Sequence, residues 1–305
     1  MVRGAEDGRA PKAVAAADGR RYLTGLIGNG ILASRSPWLH EQEAAAQGVR
    51  LLYCLYDLAE RGLGADDLPR LLEAGRLLSF AGFNVTHPYK QAIIPHLDAL
   101  SDNARRIGAV NSVQFSDGRA IGHNTDSLGF GESLARGLPG AALGTIVQIG
   151  TGGAGAATAY ALLAAGVRRL VLHDQDPLRA AGLAERLRPM FGGDDRVEIG
   201  TDLATSLAAA DGIVNATPVG MVGHPGLPLP EASLRPEMWV ADIVYFPLET
   251  ALLRAARAKG CRTLDGSGMV VFQAAAAFDI FTGLEADGER MLAGFRQTLG
   301  GDPAC

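Results

Sequence analysis

Short apolar runs alternate with segments of helical periodicity along the chain, a pattern typical of α/β proteins with parallel strands. The apolar runs predict two groups of strands. The first group lies at 22–27, 51–58, 80–85, 110–115 and 120–122, and the second at 146–149, 169–174, 197–199, 212–215, 239–244 and 262–264. Six strands in the second group match a complete doubly wound dinucleotide-binding fold.

Helix signals fall between these strands. Ser36 is predicted to cap a helix in which Pro37 takes the first position. Further helices are predicted over 67–74, directly after Lys90, over 98–107, from Asn124 onwards, over 156–165, and over 267–283 and 289–299. The last two follow the completed six-strand unit, so they are expected to pack elsewhere, back on the first group.

These elements predict an α/β protein of two domains. Residues 1–19, rich in Ala, Gly and charge, are predicted to form a disordered leader. Residues 20–126 are predicted to form an N-terminal α/β substrate-binding catalytic domain, completed by the C-terminal helices within 268–305. Residues 127–267 are predicted to form a Rossmann NAD(P)-binding domain with a doubly wound parallel sheet. Two such domains make a cleft, where small substrates usually bind.

The segment 145–166, TIVQIGTGGAGAATAYALLAAG, predicts a dinucleotide-binding turn. Gly150, Gly152 and Gly155 have G-x-G-x-x-G spacing between an apolar strand and an Ala-rich helix. The first glycine permits a tight turn, the second lets a pyrophosphate approach, and the third lets helix pack on strand. The helix N-terminus then faces the phosphates. An ordinary tight turn is the alternative, because the chain has 40 glycines, but the flanking strand and helix favour dinucleotide binding.

Asp174 closes the next predicted strand, about 20 positions beyond the glycines. A carboxylate there accepts hydrogen bonds from both ribose hydroxyls of NAD and repels the 2′-phosphate of NADP. Arg168 and Arg169 precede the strand and Arg179 is predicted well inside the next helix, so no arginine is expected at the phosphate position. The sequence therefore favours NAD over NADP. The alternative is that Asp174 only caps a helix.

Composition narrows the class of protein. The 305 residues are 48% hydrophobic and 20% charged, as in ordinary globular enzymes. A net charge of −5 without a Lys/Arg run argues against a nucleic-acid partner. Cys54, Cys261 and Cys305 are far apart, which fits a reducing cytoplasm and predicts neither disulfides nor a metal site. No apolar run is long enough to predict a membrane span. A cytoplasmic monomer or homodimer acting on a small molecule is expected.

Polar side chains cluster where the strands of the first group end. They are Ser34 and Ser36, then Asn84, Thr86 and Lys90, then Asn111, and finally Asn124 and Asp126. Each could singly be a cap, a turn residue or a solvated charge. Four such clusters in one half of the chain favour a polyhydroxylated, anionic small molecule as substrate. Lys90 with Asp126 would make a workable proton-transfer pair.

Six stretches together resemble the shikimate dehydrogenase family. They are SRSPWLH at 34–40, NVTHPYK at 84–90, GAVN at 108–111, GHNTD at 122–126, NATP at 215–218 and DGSGMVVFQAA at 265–275. The resemblance covers residues 23 to 295 and is greatest to the NAD-dependent quinate/shikimate dehydrogenases. It implies that Lys90 and Asp126 form the catalytic pair. It implies reversible hydride transfer between a nicotinamide cofactor and the C3 hydroxyl of shikimate, or that of quinate, yielding their 3-dehydro forms.

The resemblance also implies the remaining site residues. Ser34 and Ser36 would hold the substrate carboxylate with help from Tyr245. The ring hydroxyls would be bound by Asn84, Thr86, Asn111, Asp126 and Gln273, beside Lys90. The candidate cofactor-binding residues are Gly150, Thr151, Gly152, Gly153, Ala154, Gly155, Asp174, Thr217, Val244, Gly266 and Met269.

Three departures leave the substrate open. NADP-using members carry Asn-Arg-Thr where this chain has HDQ at 173–175, which indicates the NAD-dependent quinate-type group. Ser112 replaces the usual threonine after Asn111. Ser36 and Gly268 resemble the shikimate-specific enzymes, whereas many quinate-active relatives carry threonine in place of the serine. A dehydrogenase of an amino-shikimate analogue and a non-catalytic quinate or shikimate sensor are the alternatives. The presence of Lys90 and Asp126 counts against the sensor.

Overall fold

The computed structural model describes residues 19–300 and contains two six-stranded sheets. The N-terminal sheet comprises β1 (Arg21–Gly28), β2 (Arg50–Asp57), β3 (Gly82–Val85), β4 (Ala99–Leu100), β5 (Ser112–Ser116) and β6 (Arg119–His123), in the order β2-β1-β3-β5-β6-β4. β5 runs antiparallel to β3 and β6, whereas β1 is parallel to both β2 and β3. The predicted α/β class is confirmed, but this sheet is mixed rather than parallel throughout.

The helices around this sheet are α1 (Ser36–Ala46), α2 (Leu68–Leu77), α3 (Asp102–Ile107) and α4 (Thr125–Gly137). Two predictions were wrong here. No α-helix follows Lys90, where turns lead into a 3₁₀ turn at Ile94–His96. The helix predicted over 98–107 is divided, because Ala99 and Leu100 pair with β6 before Ser101 caps α3. Tertiary strand pairing overrides the local helical signal.

The C-terminal sheet has the doubly wound topology that the sequence predicted. It comprises β7 (Thr145–Ile149), β8 (Arg169–His173), β9 (Val197–Ile199), β10 (Gly212–Asn215), β11 (Trp239–Asp242) and β12 (Arg262–Leu264), all parallel, in the order β12-β11-β10-β7-β8-β9. Its connecting helices are α5 (Gly153–Ala164), α6 (Pro177–Phe191), α7 (Leu203–Ala208) and α8 (Ala251–Ala258). The strand order reverses between β7 and β10, and ligands bind at such a switch point.

The last two helices, α9 (Ser267–Thr282) and α10 (Gly288–Gly300), return to the N-terminal sheet. Tyr22 donates to the carbonyl of Thr282 at 3.0 Å, and Arg290 pairs with the fully buried carboxylate of Glu43 on α1 at 2.7 Å. The boundary predicted at Asp126 falls in the first turn of α4, and the division into domains remains a prediction. The leader predicted at 1–19 lies outside the described residues, except for Gly19. None of the helices within 19–300 is long and apolar enough to cross a membrane.

His40, on α1, gives the fold a pH dependence. The side chain is 1% exposed, and its ring centroid lies 4.8 Å from that of Tyr53. Burial lowers the pKa of His40 to about 3. The unfolded value is about 6.5, so protonation favours the unfolded chain, and stability is lost as the pH falls from 6.5 towards 3. Between pH 7 and 4.5, the wild-type protein should lose about 3 kcal/mol more than His40→Phe.

Denaturant unfolding of both proteins at the two pH values measures this difference. Other titrating groups act equally on both, and replacement of the exposed His96 by Gln serves as the control. Parallel loss of stability in wild type and His40→Phe would contradict the prediction.

Candidate active site

The predicted proton-transfer pair is in direct contact. Lys90 Nζ donates to Asp126 Oδ2 at 2.6 Å, with the two side chains 17% and 9% exposed. Lys90 lies in the turn after β3, where its carbonyl accepts from Val110 N at 2.8 Å. Asp126 is the second residue of α4. A lysine and a carboxylate joined in this way can hold a proton close to a bound hydroxyl.

Asn124 fixes the start of α4 and therefore the position of Asp126. Its Oδ1 accepts from Ser127 N at 3.1 Å, and its Nδ2 donates to the carbonyl of Ala109 at 2.9 Å. The residue is fully buried and acts as the N-cap of the helix. The capping role that the sequence allowed for Asn124 is the one it performs.

The second carboxylate oxygen of Asp126 continues the network. Asp126 Oδ1 accepts from Asn111 Nδ2 at 2.9 Å, and Asn111 Oδ1 accepts from Thr125 N at 2.7 Å. Gln273 Oε1 lies 3.4 Å from Asn111 Nδ2 and 3.3 Å from Thr125 Oγ1. The structure thus brings Lys90, Asp126, Asn111 and Gln273 together, although Gln273 is 162 positions from Asn111 in the chain.

Gln273 reaches this site because α4 and α9 approach very closely at Gly129. A Cβ atom on Gly129 would lie 2.5 Å from Gln273 N and 2.7 Å from the carbonyl oxygen of Met269. Any larger residue would push the two helices apart. One glycine on α4 therefore allows α9 to present Gln273 beside Asp126.

Ser34 and Ser36 form a hydroxyl pair before and at the start of α1. The hydroxyl oxygens are 3.1 Å apart, and Ser36 N donates to Ser34 Oγ at 3.2 Å. The predicted capping role of Ser36 is wrong, because Arg35 occupies the N-cap position and Ser36 is the first helical residue. The preceding loop is anchored by Ile31 N, which donates to Asp57 Oδ2 at 2.8 Å. Two hydroxyls at a helix N-terminus suit a carboxylate.

Asn84 is the third residue of β3, and Thr86 follows the strand, four positions before Lys90. Asn84 is buried, whereas Thr86 is partly exposed. The sequence assigned no site role to two buried residues in contact with Asn84. Tyr53 donates to Asn84 Oδ1 at 2.8 Å, and Ser112 Oγ accepts from Asn84 Nδ2 at 2.9 Å. Tyr53 lies in the middle of an apolar strand, so no strand-end polar signal marks it.

Tyr245 lies in the segment after β11, and its side chain is 42% exposed. Within residues 19–300, no hydrogen bond joins it to Ser34 or Ser36. Its predicted help in holding the substrate carboxylate stays a prediction.

The loop between β7 and α5 has the shape that a pyrophosphate requires. Gly150 has φ +98°, and a Cβ atom there would lie 2.6 Å from the carbonyl oxygen of Ala216. A Cβ atom on Gly155 would lie 2.3 Å from the carbonyl oxygen of Gly150. At Gly152, by contrast, a Cβ atom would meet nothing within 4 Å, which leaves open space beside the N-terminus of α5. The glycines therefore fit a bound dinucleotide at the helix N-terminus.

Asp174 is tied to this loop. Its Oδ2 accepts from both N and Oγ1 of Thr151, each at 2.7 Å, and its Oδ1 accepts from Asp176 N at 3.0 Å. Partial burial opposes ionisation, but these hydrogen bonds hold the pKa of the Asp174 carboxyl below its usual range. Asp176, not Asp174, caps α6. Asp174 therefore keeps a negative charge at the edge of the site, and these bonds leave one lone pair of Oδ1 unused.

One detail of the sequence interpretation was wrong here. Arg179 is not deep in a helix but in the first turn of α6, where its side chain lies 3.5 Å from Asp176. Its charge also acts on Asp174. A cation therefore stands near the carboxylate that is predicted to select the cofactor.

The other candidate cofactor residues, except Met269, lie at the same edge of the C-terminal sheet. Thr217 follows β10 and donates to Asn215 Oδ1 at 2.6 Å, and Val244 follows β11. A Cβ atom on Gly266 would lie 2.5 Å from the carbonyl oxygen of Val244. Gly153 and Ala154 begin α5, whereas Met269 is buried in the hydrophobic core. A Cβ atom on Gly153 would lie 3.4 Å from Lys90 Cδ, so the glycine-rich loop adjoins the proton-transfer pair.

A dinucleotide cradle facing a lysine–carboxylate pair defines a nicotinamide-dependent oxidoreductase. Comparison with known proteins agrees. The family model of the shikimate dehydrogenase substrate binding domain matches residues 26–113. A shikimate dehydrogenase (NADP(+)) of Streptomyces avermitilis is 54% identical over 92% of this chain and 96% of its own. A quinate/shikimate dehydrogenase (NAD(+)) of Corynebacterium efficiens is 49% identical over 90% and 97%.

Among solved structures, quinate dehydrogenase from Corynebacterium glutamicum in complex with NAD matches with a TM-score of 0.86 and 45% identity, covering 91% of this chain and 100% of that one. The chain belongs to the shikimate dehydrogenase family, which confirms the resemblance found in the sequence. It is an enzyme, an oxidoreductase of the alcohol dehydrogenase type.

Proposed function

We propose that the protein is an NAD-dependent shikimate dehydrogenase that converts shikimate reversibly to 3-dehydroshikimate. The observation that carries the proposal is the contact between Lys90 and Asp126, with Asn111 and Gln273 beside them and the glycine-rich loop adjoining. An alcohol needs a proton carrier at its oxygen and hydrogen-bonding groups at its other hydroxyls, and this cluster supplies both.

In this proposal each residue has one task. Lys90 Nζ takes the proton from the C3 hydroxyl during oxidation and returns it during reduction. Asp126 accepts from Lys90 and holds it in place, while Asn111 and Gln273 orient the ring through its hydroxyls. When bound, the nicotinamide accepts or supplies the hydride at C3. Ser34 and Ser36 bind the carboxylate at the N-terminus of α1.

NAD is the proposed cofactor because a charged Asp174, directly after β8, would repel the 2′-phosphate of NADP. The relatives do not agree on this point, since the protein from Streptomyces avermitilis is named for NADP(+) and the one from Corynebacterium efficiens for NAD(+). The charge and hydrogen bonds of Asp174 support NAD.

Cys54 and Cys261 are free thiols, which supports a cytoplasmic location.

The structure weakens one of the two arguments for shikimate over quinate. A Cβ atom on Gly268 would lie 2.1 Å from Ser133 Oγ, so the packing of α9 on α4 requires this glycine. Gly268 therefore says little about the substrate. Ser36 is the remaining argument, because many quinate-active relatives carry threonine at this position.

Steady-state rates with shikimate and with quinate, each with NAD and with NADP, test the proposal. We expect shikimate with NAD to give the highest catalytic efficiency. Higher efficiency with quinate would move the assignment to a quinate dehydrogenase, and no turnover of either acid would refute both. A preference for NADP would refute the cofactor assignment alone.

Removal of either serine hydroxyl should weaken substrate binding. Ser34→Ala and Ser36→Ala should each cost about 1–3 kcal/mol in the affinity for shikimate, because an anion loses one hydrogen-bond donor. Titration of each variant with shikimate measures the loss, and Ser116→Ala in the β5–β6 hairpin is the control. Unchanged affinity in both serine variants would show that the carboxylate binds elsewhere.

A further inference from the structure

A buried chain of hydrogen bonds connects Tyr53 to Lys90 across the N-terminal sheet. Tyr53 donates to Asn84 Oδ1 at 2.8 Å, and Asn84 Nδ2 donates to Ser112 Oγ at 2.9 Å. Ser112 Oγ donates to Asn111 Oδ1 at 3.2 Å. Asn111 Nδ2 then donates to Asp126, which accepts from Lys90 on its other oxygen. The proposed proton carrier is thus connected to residues on three strands.

Ser112 is the junction of this chain. It is fully buried and lies directly opposite Asn84 in the antiparallel pairing of β3 with β5. A hydroxyl has one proton to donate and two lone pairs that accept. The Ser112 proton goes to Asn111 Oδ1, and one lone pair accepts from Asn84 Nδ2. The hydroxyl thereby favours one orientation of the Asn84 amide, whereas the Asn111 amide is also held by the backbone N–H of Thr125, which donates to Asn111 Oδ1 at 2.7 Å.

The side-chain amide of Asn84 can only accept a further hydrogen bond. Asn84 Nδ2 donates to Ser112 Oγ and to the carbonyl of Asn111 at 3.3 Å, so both of its N–H bonds are used inside the protein. Asn84 Oδ1 accepts from Tyr53, which leaves only its second lone pair. A ligand group that bonds to Asn84 must therefore donate a hydrogen bond, as a hydroxyl does.

Burial keeps the phenol of Tyr53 protonated, so that it can donate to Asn84. Tyr53 is 4% exposed, and burial raises the pKa of its phenol, so the hydroxyl stays protonated and donates. The hydroxyl of Tyr53 therefore acts as the donor to Asn84 Oδ1, which fixes that oxygen as the acceptor.

We propose that Tyr53 and Ser112 are positioning residues that fix the amide orientation of Asn84. The proposal rests on the proposed function. Asn84 then accepts from a ring hydroxyl of the substrate. Neither Tyr53 nor Ser112 is required to touch the substrate.

Three variants test the proposal: Ser112→Ala and Tyr53→Phe, which each remove one hydroxyl, and Ser112→Thr, which retains it. The first two should raise the KM for shikimate about 10-fold, whereas kcat falls less and the Kd for NADH, measured by its fluorescence, stays within about twofold. Ser112→Thr should restore a KM close to that of the wild type. Tyr22→Phe and Thr24→Val, which remove hydroxyls outside this chain, are the controls.

A second readout separates orientation from general damage. Analogues of shikimate with fluorine in place of the C4 or C5 hydroxyl keep an acceptor but lose the donor. The wild-type enzyme should bind at least one of them about 10-fold more weakly than shikimate. This discrimination should diminish in Ser112→Ala, where one N–H of Asn84 loses its acceptor and can donate to the ligand instead.

Unchanged KM and discrimination in Ser112→Ala and Tyr53→Phe, with an active wild type, would overturn this inference alone. Failure of Ser112→Thr to recover, when its thermal unfolding midpoint matches that of the wild type, would do the same. A wild type that turns over neither shikimate nor quinate would instead refute the proposed function.

Discussion

Replacement of Lys90 by alanine should lower the turnover of shikimate by ~10²–10⁴, the usual effect of removing a positioned acid/base group. Lys90 Nζ is 2.6 Å from Asp126, and Asp126 also accepts from Asn111, so the variant leaves a carboxylate in place but no proton carrier. The cofactor should bind almost as before, because the dinucleotide cradle is built from the other sheet. Stopped-flow or steady-state rates, together with the Kd for NADH, measure the two quantities separately.

Lys259→Ala provides the matched control, because this lysine lies exposed at the end of α8. Its turnover should equal that of the wild type. If Lys90→Ala retains turnover within a few-fold of the wild type, the role assigned to Lys90 is wrong. A large loss of NADH affinity in Lys90→Ala would show that the lysine supports the cofactor instead.

The second large effect concerns the choice of cofactor. We expect the wild-type enzyme to prefer NAD over NADP by at least about 10²-fold in catalytic efficiency, or roughly 2.7 kcal/mol. Asp174 is ionised and partly desolvated, and a phosphate dianion close to it would be strongly repelled. Asp176 adds a second negative charge nearby. Efficiencies with the two cofactors, measured at one ionic strength, give the ratio directly.

Asp174→Asn should erode the preference mainly by admitting NADP, and Asp174→Asn combined with Gln175→Arg should erode it further by supplying a phosphate partner. Arg179→Ala is the informative companion, because Arg179 stands in the first turn of α6 beside Asp176. If the wild type uses NADP as well as NAD, and Arg179→Ala abolishes the use of NADP, then Arg179 rather than Asp174 determines the choice. If catalytic efficiency is the same with NAD and NADP, and none of these variants changes it, Asp174 serves only to hold Thr151 by hydrogen bonds.

Local patterns predicted the C-terminal sheet well. The glycine spacing and the six short apolar runs are local signals, because each involves residues that are close together in the chain. Gly150, Gly155 and the number of strands can therefore be identified from the sequence. The N-terminal sheet was harder, because pairing with distant strands decides it. Ala99 and Leu100 read as helical by themselves but pair with β6.

In the candidate active site too, the sequence does not identify residues whose role depends on contacts with distant parts of the chain. Lys90 and Asp126 were identified by their chemistry, and Gln273 by the family resemblance. Tyr53 was missed because a tyrosine in an apolar strand looks like an ordinary core residue until the partner of its hydroxyl is known. Gly268 suggested substrate selectivity, but the residue opposite it, Ser133, lies on another helix and could not be identified from the sequence alone.

The return of α9 and α10 to the N-terminal sheet has a consequence for folding during translation of the chain. Asn111 emerges from the ribosome 162 residues before Gln273, and the buried Glu43 must wait still longer for Arg290. Until then a carboxylate that is fully buried in the finished protein has no cation, which is costly in a closed interior. The N-terminal half of the chain therefore lacks part of its native contacts until α10, which follows the whole C-terminal sheet, has been translated.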